Sequence, residues 1–447
     1  MSSNPPPPIT QSEHAGHVPV LPSAAPVAKR AWIVLGMLIL VYVLNYLCRF
    51  LPSVLAKPIE ESLQITDGQF GLITGFYFAM FYTLISLPIG FLADKTSRSK
   101  VLACGCAIWS AATAACGFAA NFTQFAFSFM AVGFGEAGGV PPSYALISDY
   151  FPPGKRGTAL GLFNLGMPIG ASLAIGFGAA IAAAFSWQTA FRGLGIIGLV
   201  AVVGILLIVK EPKRGGLDAV SPQLTKKIGF WDTLFSFFSR RTLVLAALAG
   251  GCTQIVTAGV GAFAILFMMR EKGMTLGEVA VWYALMVLIV MSLGLFVAGR
   301  SVDKFTRISK RAYGLVPAIS LTVSVPFYIA FVASSTWPMA LMCLAGCMFV
   351  NFFYLPSVIT LVQQEVRPDQ RALSGALMLA TMNLIGIGLG PTLIGAVSDY
   401  FRATHPQHSL QLAFYALLPC SVMAILLFYW LSRELRNDGR KAVEATR

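Results

Sequence analysis

The sequence predicts an all-α membrane protein, with twelve transmembrane helices in two six-helix pseudo-symmetric halves. Three observations predict it. Apolar runs long enough to cross a bilayer recur along the chain. Lysine and arginine crowd the connections on one side of those runs. A loop motif returns after 209 residues.

The apolar runs come first. Of 447 residues, 56% are hydrophobic and only 11% charged, and the mean hydropathy is +0.73. Soluble domains carry about twice that share of charge. Runs of about 20 apolar residues are the length a helix needs to span the hydrocarbon core. The spans fall near 31–55, 68–93, 101–119, 122–147, 157–184 and 191–209, then 242–269, 276–299, 311–333, 337–362, 372–398 and 410–432. They are numbered 1 to 12 below. Residues 1–29 are rich in Pro and Ser with no apolar core, and read as a disordered cytoplasmic tail. This tail is followed by an N-terminal half at 30–209, a cytoplasmic linker at 210–241, a C-terminal half at 242–432 and a second tail at 433–447. The linker's end, 228–241, mixes aromatics with Ser, Asp and Arg, the pattern of an amphipathic helix lying in the membrane surface.

Orientation follows from the cations. Of 32 Lys and Arg, 26 fall on the tails and on one set of connections. Five fall on the other side (Lys57, Arg192, Arg270, Lys272 and Arg402), and Arg49 lies inside span 1. Positive charge marks the cytoplasmic side, so both termini are expected there, with the chain in a cell membrane, the bacterial inner membrane. The net charge of +13 is thereby a topology signal and calls for no nucleic acid. The eight cysteines sit in apolar segments, and the four histidines lie in the tail and one loop. No disulfide framework, metal set or cofactor site is expected.

The repeat comes third. Residues 90–100, GFLADKTSRSK, join spans 2 and 3, and residues 299–310, GRSVDKFTRISK, join spans 8 and 9. Asp94 matches Asp303 and Arg98 matches Arg307. Pro142 matches Pro356, and Arg156 matches Arg371, at offsets of 214 and 215. Two parallel repeats are a transporter design, with the site at the interface and one half rocking against the other.

Among the spans, residues 132–143, VGFGEAGGVPPS, set Glu136 among glycines and prolines. A charge at bilayer depth costs roughly 3 kcal/mol on insertion scales and marks function by default. Arg49, within YLCRF, is the other fully intramembrane charge. With span 1 running outward and span 4 inward, Arg49 lies roughly 10 Å nearer the outer face than Glu136. Side chains lean toward their helix N-termini, which narrows that gap. The two form either a transport site or a fixed ion pair.

These residues resemble the major facilitator superfamily. Its loop signature, G-x-x-x-D-[RK]-x-G-[RK]-x-x, is similar to residues 90–100, with Ser97 where the family has Gly. NYLCRF at 45–50 and GFGEAGGVPPSYALISDYFP at 133–152 resemble the Spinster branch, which carries N-Y-x-D-R and G-x-G-E-A. The resemblance implies that Arg49 and Glu136 are a functional pair, that the substrate is a lysolipid or sphingolipid-like amphiphile, and that protons are coupled. Cys48 replaces the branch's aspartate, which leaves Glu136 as the proton carrier.

Around that pair, Asn45, Tyr46, Tyr77, Tyr144, Gln254, Asn351 and Tyr354 are cavity-lining candidates, and each is equally an interhelical hydrogen-bonding residue. Asp94, Lys95, Arg98, Asp149, Arg156, Asp303, Arg307 and Arg371 are candidates for a cytoplasmic gate. Their other reading is a set of solvated topology charges. The glycines and prolines of 133–142 serve either close packing or a hinge. The expected activity is secondary transport of an amphiphile, proton-linked through Glu136 with Arg49. The alternative is a soluble organic anion held on Arg49. The expected partners are the bilayer, the amphiphile and protons, and the chain is expected to act as a monomer. An enzyme would need a catalytic cluster or a sizeable extramembrane domain, and the longest internal polar stretch is 210–241.

Overall fold

A computed structural model describes residues 28–212, 230–366 and 370–445. The N-terminal tail and the linker over 213–229 lie outside the described residues. Among the described residues every regular element is helical. Eleven helical runs are long and apolar enough to cross a bilayer. The chain is an all-helical multi-pass membrane protein.

The expected span outside these eleven is span 4. Span 4, expected as one run over 122–147, divides into Phe122–Glu136 and Val140–Tyr150. Backbone chemistry explains the break. Pro141 and Pro142 have no N–H to donate back to Ala137 and Gly138. The turn between the pieces closes with Gly138 N–H donating to Gly135 O at 3.0 Å and Gly139 N–H donating to Glu136 O at 3.0 Å. Ser143 Oγ then donates to Gly139 O at 2.7 Å. Glu136 is therefore the last helical residue before an interruption inside the bundle.

The glycines of the same stretch pack closely. A methyl group added to Gly135 would lie 2.4 Å from Trp109 N, so spans 3 and 4 meet backbone to backbone there. Close packing and interruption occur together.

The interruption recurs in the second half. Span 10 divides into Trp337–Asn351 and Tyr354–Glu365, with Pro356 just beyond the gap. The starts of spans 2 and 8 match as well. Thr66 with Gln69 and Thr275 with Glu278 each form a capping box. Each is followed by a π-helical turn, Ile73–Tyr77 and Val279–Tyr283. Span 5 divides at Leu165, where Pro168 removes a donor to Asn164. A short helix, Phe230–Ser239, precedes span 7 and exposes Trp231, Phe235 and Phe238.

The two halves meet along spans 2 and 11, 5 and 8, and 1 and 7. The seam is tightest at the end remote from the chain termini. A methyl on Gly71 would lie 2.4 Å from Pro391 O, and one on Gly395 would lie 2.3 Å from Asp67 O. Span 2 thus lies directly on the backbone of span 11.

Gly71→Ala is expected to force this seam apart. Overpacking of this kind costs about 1–3 kcal/mol. The check is a lowered thermal unfolding midpoint in detergent, while Gly161→Ala, where an added methyl meets nothing within 4 Å, leaves it unchanged.

Candidate functional site

The break in span 4 brings several buried polar atoms close together. Glu136 is 1% exposed, and neither carboxylate oxygen has a hydrogen-bond partner. Asn45 is buried and its Nδ2 is likewise unpartnered. A methyl added to Gly139 would lie 3.7 Å from Asn45 Nδ2, 3.6 Å from the Trp109 ring and 3.2 Å from Glu136 O. Trp109 is fully buried with its Nε1 unpartnered. An unpaired carboxylate in such surroundings is costly, and binding a proton removes that cost.

Arg49 forms no ion pair with Glu136 within 4.0 Å, so the fixed-pair reading does not describe this structure. Its guanidinium lies over three rings instead, with its carbon 4.8 Å from the centroid of Phe78, 5.4 Å from Tyr82 and 5.9 Å from Tyr46. A cation over aromatic faces gains about 2 kcal/mol when desolvated. Aromatic rings hold the cation here, and its N–H groups are not committed to a carboxylate. Phe78 and Tyr82 were absent from the expected site. Their i, i+4 spacing on span 2 is a signal that sequence offers.

The expected lining residues divide by what they bond. Tyr144 Oη donates to Asn164 Oδ1 at 2.9 Å, and Gln254 Nε2 donates to Asn383 Oδ1 at 2.8 Å. Asn351 Nδ2 donates to Thr257 Oγ1 at 3.0 Å, while Asn351 Oδ1 is buried and unpartnered. In these cases the interhelical reading describes the contact. Tyr46 stacks on Phe50 and meets Tyr42 edge-on at 5.0 Å. Tyr77 lies half-buried in the π-helical turn of span 2, and Tyr354 is buried at the start of the second piece of span 10. A small cavity opens within the C-terminal half, lined by Thr253, Ser324, Tyr328, Cys347, Asn351 and Ser421.

At the termini end, Arg98 pairs with Asp149, both from the N-terminal half. Glu211 accepts from Ser97 Oγ at 2.8 Å and Ser99 N–H at 3.1 Å, which hold its carboxyl below the usual range against the effect of burial. Arg156 Nε donates to Phe151 O at 3.0 Å. Lys95 and Arg371 are exposed. The side chain of Asp94 lies outside the described residues. Asp303 and Arg307 are exposed, and neither forms an ion pair among the described residues. In the second copy of the motif, Lys310 lies 3.8 Å from Glu365 Oε1, so each copy contributes one cation to an ion pair among the described residues.

The opposite end carries charges that sequence reasoning treated only as topology. Arg270 donates to Asp67 through two N–H groups, at 2.7 and 2.9 Å, and to Glu60 Oε2 at 2.8 Å. Arg402 lies 3.6 Å from Asp67 Oδ1, and Ser398 Oγ donates to Asp67 Oδ2 at 2.6 Å. Gly68 N–H donates to Asp399 Oδ2 at 2.9 Å. Each of these bonds joins the first half to the second. The signal available in the sequence was the complement itself: acidic Glu60 and Asp67 between spans 1 and 2, and basic Arg270 and Arg402 at the ends of spans 7 and 11.

Comparisons with known proteins bear on what this arrangement serves. Residues 38–391 match the family model described as Major Facilitator Superfamily. The chain is 30% identical over 415 residues to an MFS-type efflux pump of Mycolicibacterium smegmatis, covering 92% of this chain and 94% of that one. It is 27% identical over 408 residues to a sphingosine-1-phosphate transporter of Mus musculus, covering 86% and 73%. Among solved structures, a bacterial homolog to human lysosomal transporter Spinster, in an inward-facing and unoccupied conformation, superposes with a TM-score of 0.84. The identity there is 27%, over 92% of this chain and 98% of that one.

Removing Arg270 leaves Asp67 buried without its main counter-charge. Breaking such a pair costs about 3–5 kcal/mol. Arg270→Met is therefore expected to lower the unfolding midpoint sharply. Arg270→Lys restores only part of the loss, because one ammonium cannot reproduce the fork of bonds to two carboxylates; differential scanning fluorimetry of the purified variants measures both.

Proposed function

The chain belongs to the major facilitator superfamily of transporters, in its Spinster branch, and on that premise we propose that it moves an amphiphilic, lipid-like molecule by alternating access, with Glu136 carrying the coupled proton. The observation that carries the proposal is the state of Glu136. It is buried, forms no ion pair among the described residues and has both carboxylate oxygens unpartnered at a helix break. A site of this kind accepts a proton when sealed and releases it when water or a cation reaches it.

Arg49 supplies the charge that such an exchange responds to. Its guanidinium is held by the flat faces of Phe78, Tyr82 and Tyr46, with its donors free to meet an anionic or polar head group. Across the seam, Asn351, Gln254 and Tyr354 present amides and a ring, and the aromatic pair Phe349 and Phe353 lies nearby on span 10. A head group near Arg49 and an apolar tail against the second half match this division of polarity. The mouse relative named as a sphingosine-1-phosphate transporter supports the same substrate class. The free donors of Arg49 also favour a second reading, a soluble organic anion bound there by its carboxylate.

Rocking of the halves closes one face while opening the other. The charged seam at the far end and the network of Arg98 and Asp149 at the termini end serve as the two gates, with Asp94, Arg156 and Arg371 completing the latter. We place both termini in the cytoplasm and the chain in a bacterial inner membrane, as the distribution of Lys and Arg indicates.

Proteoliposome transport of a lysophospholipid and of a dicarboxylate, each with and without a pH gradient, tests the proposal. The lysophospholipid is expected to move, with rates that follow the gradient. Glu136→Gln is expected to keep the fold and substrate binding while losing at least tenfold in gradient-driven rate. An unaltered response to the gradient in that variant sinks the proton-carrier role. Transport of the dicarboxylate alone replaces the lipid reading with the anion reading.

A further inference from the structure

We infer that Glu60, at the seam between the halves on the face remote from the termini, is a second proton-binding site, which takes up a proton from that side as the face closes. The inference stands apart from the coupling proposed for Glu136. It rests on how two carboxylates share their cations.

Asp67 receives most of the compensation. It accepts two N–H groups of Arg270 and the hydroxyl of Ser398, with the Arg402 guanidinium 3.6 Å away. Glu60 accepts one N–H of Arg270 on Oε2, and its Oε1 is buried with no hydrogen-bond partner. Asp67 is fully buried and Glu60 is 7% exposed, so neither carboxylate is hydrated. The Arg402 side chain is half exposed, and solvent screens its charge. Of two carboxylates on one guanidinium, the less compensated one takes the proton.

The remaining groups around Glu60 leave this balance intact. Lys57 and Glu61, on its own helix Ala56–Leu63, are exposed. Asp399 is bonded to Gly68 N–H. Glu271 accepts the backbone N–H groups of Leu410 and Gln411. Asp67, Arg270 and Arg402 are thus the charges that act on Glu60. Burial, followed by the Asp67 carboxylate, pushes Glu60 up to about 8, against the opposing pull of the two arginines.

Separating the halves changes the balance. Arg270, Ser398 and Arg402 move away with the second half, and water reaches the start of span 2. A hydrated glutamate returns to an ordinary value of about 4.3. Closure therefore binds a proton and opening releases it to the same side. The closed face has the raised value, so protonation stabilises closure fully below about pH 4.3, and the stabilisation is lost as pH rises through about 8. The site lets the pH of the remote compartment bias the conformational equilibrium, with acid favouring a closed far face.

The test measures distances across that face in the full chain, with spin labels on ketone-bearing residues placed at exposed Gln64 and Gln407. The closed population is expected to fall as pH rises from 6 to 9, by up to about tenfold per pH unit in the closed-to-open ratio. Glu60→Gln is expected to hold the face closed across the range. Asp67→Asn releases Arg270 to Glu60 and is expected to move the midpoint to lower pH, which keeps the test decisive if one variant folds poorly. Glu136→Gln removes the contribution of the proposed coupling site, and the part of the response carried by Glu60 is expected to remain in that variant. A wild-type distance that ignores pH overturns the inference. So does a response that survives in Glu60→Gln and disappears in Glu136→Gln, and that last result leaves the proposed coupling at Glu136 standing.

Discussion

In a bilayer, a peptide group that loses its helical partner has no water to turn to, so a helix breaks only where protein covers the gap. Spans 4 and 10 both break near their middles, and each break is folded inward against neighbouring helices. That constraint organises the molecule. It requires Gly105, Gly135 and Gly138 to bring spans 3 and 4 into backbone contact around the first gap. It also places a polar side chain at the last residue before each gap, facing other buried polar atoms. Glu136 ends the first piece of span 4, and Asn351 ends the first piece of span 10.

These two residues are equivalent in the repeat, at the same offset of 215 that relates Arg156 to Arg371. Their neighbours on spans 1 and 7 correspond as well, Asn45 to Gln254 and Cys48 to Thr257. In the second half the equivalent amide is anchored, since Asn351 donates to Thr257. In the first half the thiol of Cys48 replaces that hydroxyl, and the carboxylate has no hydrogen bond. One gap is therefore closed by a neutral pair, while the other retains an unsatisfied acid. Duplication of the backbone device, with divergence in one side chain, leaves an amide at one gap and a carboxylate at the other.

The ends of the bundle follow different physical rules. At the far end, close backbone approach between spans 2 and 11 excludes water, and the charges gathered there are paired across the seam. At the termini end, the charges that pair lie within one half or are solvated, as with Arg98 and Asp149 or exposed Asp303 and Arg307. Buried pairing makes the far seam sensitive to mutation, because a lone charge left there has no solvent to replace its partner.

Hydropathy, the distribution of Lys and Arg, and the repeated loop motif determined the fold class and the family, because each depends on composition along the chain and on nothing remote. Glu136 and Arg49 stood out for the same reason: an ionisable residue inside an apolar run is visible without knowledge of its neighbours. What they touch was not legible. The aromatic cage over Arg49 draws on two spans, and whether Arg49 meets Glu136 depends on how spans 1 and 4 pack. The clamp of Glu60, Asp67, Arg270 and Arg402 joins residues 203 and more positions apart in sequence. Charges at loop edges read alike whether solvated or paired, and only the packing of spans 2, 7 and 11 decided that these are paired, with Glu60 and Asp67 buried.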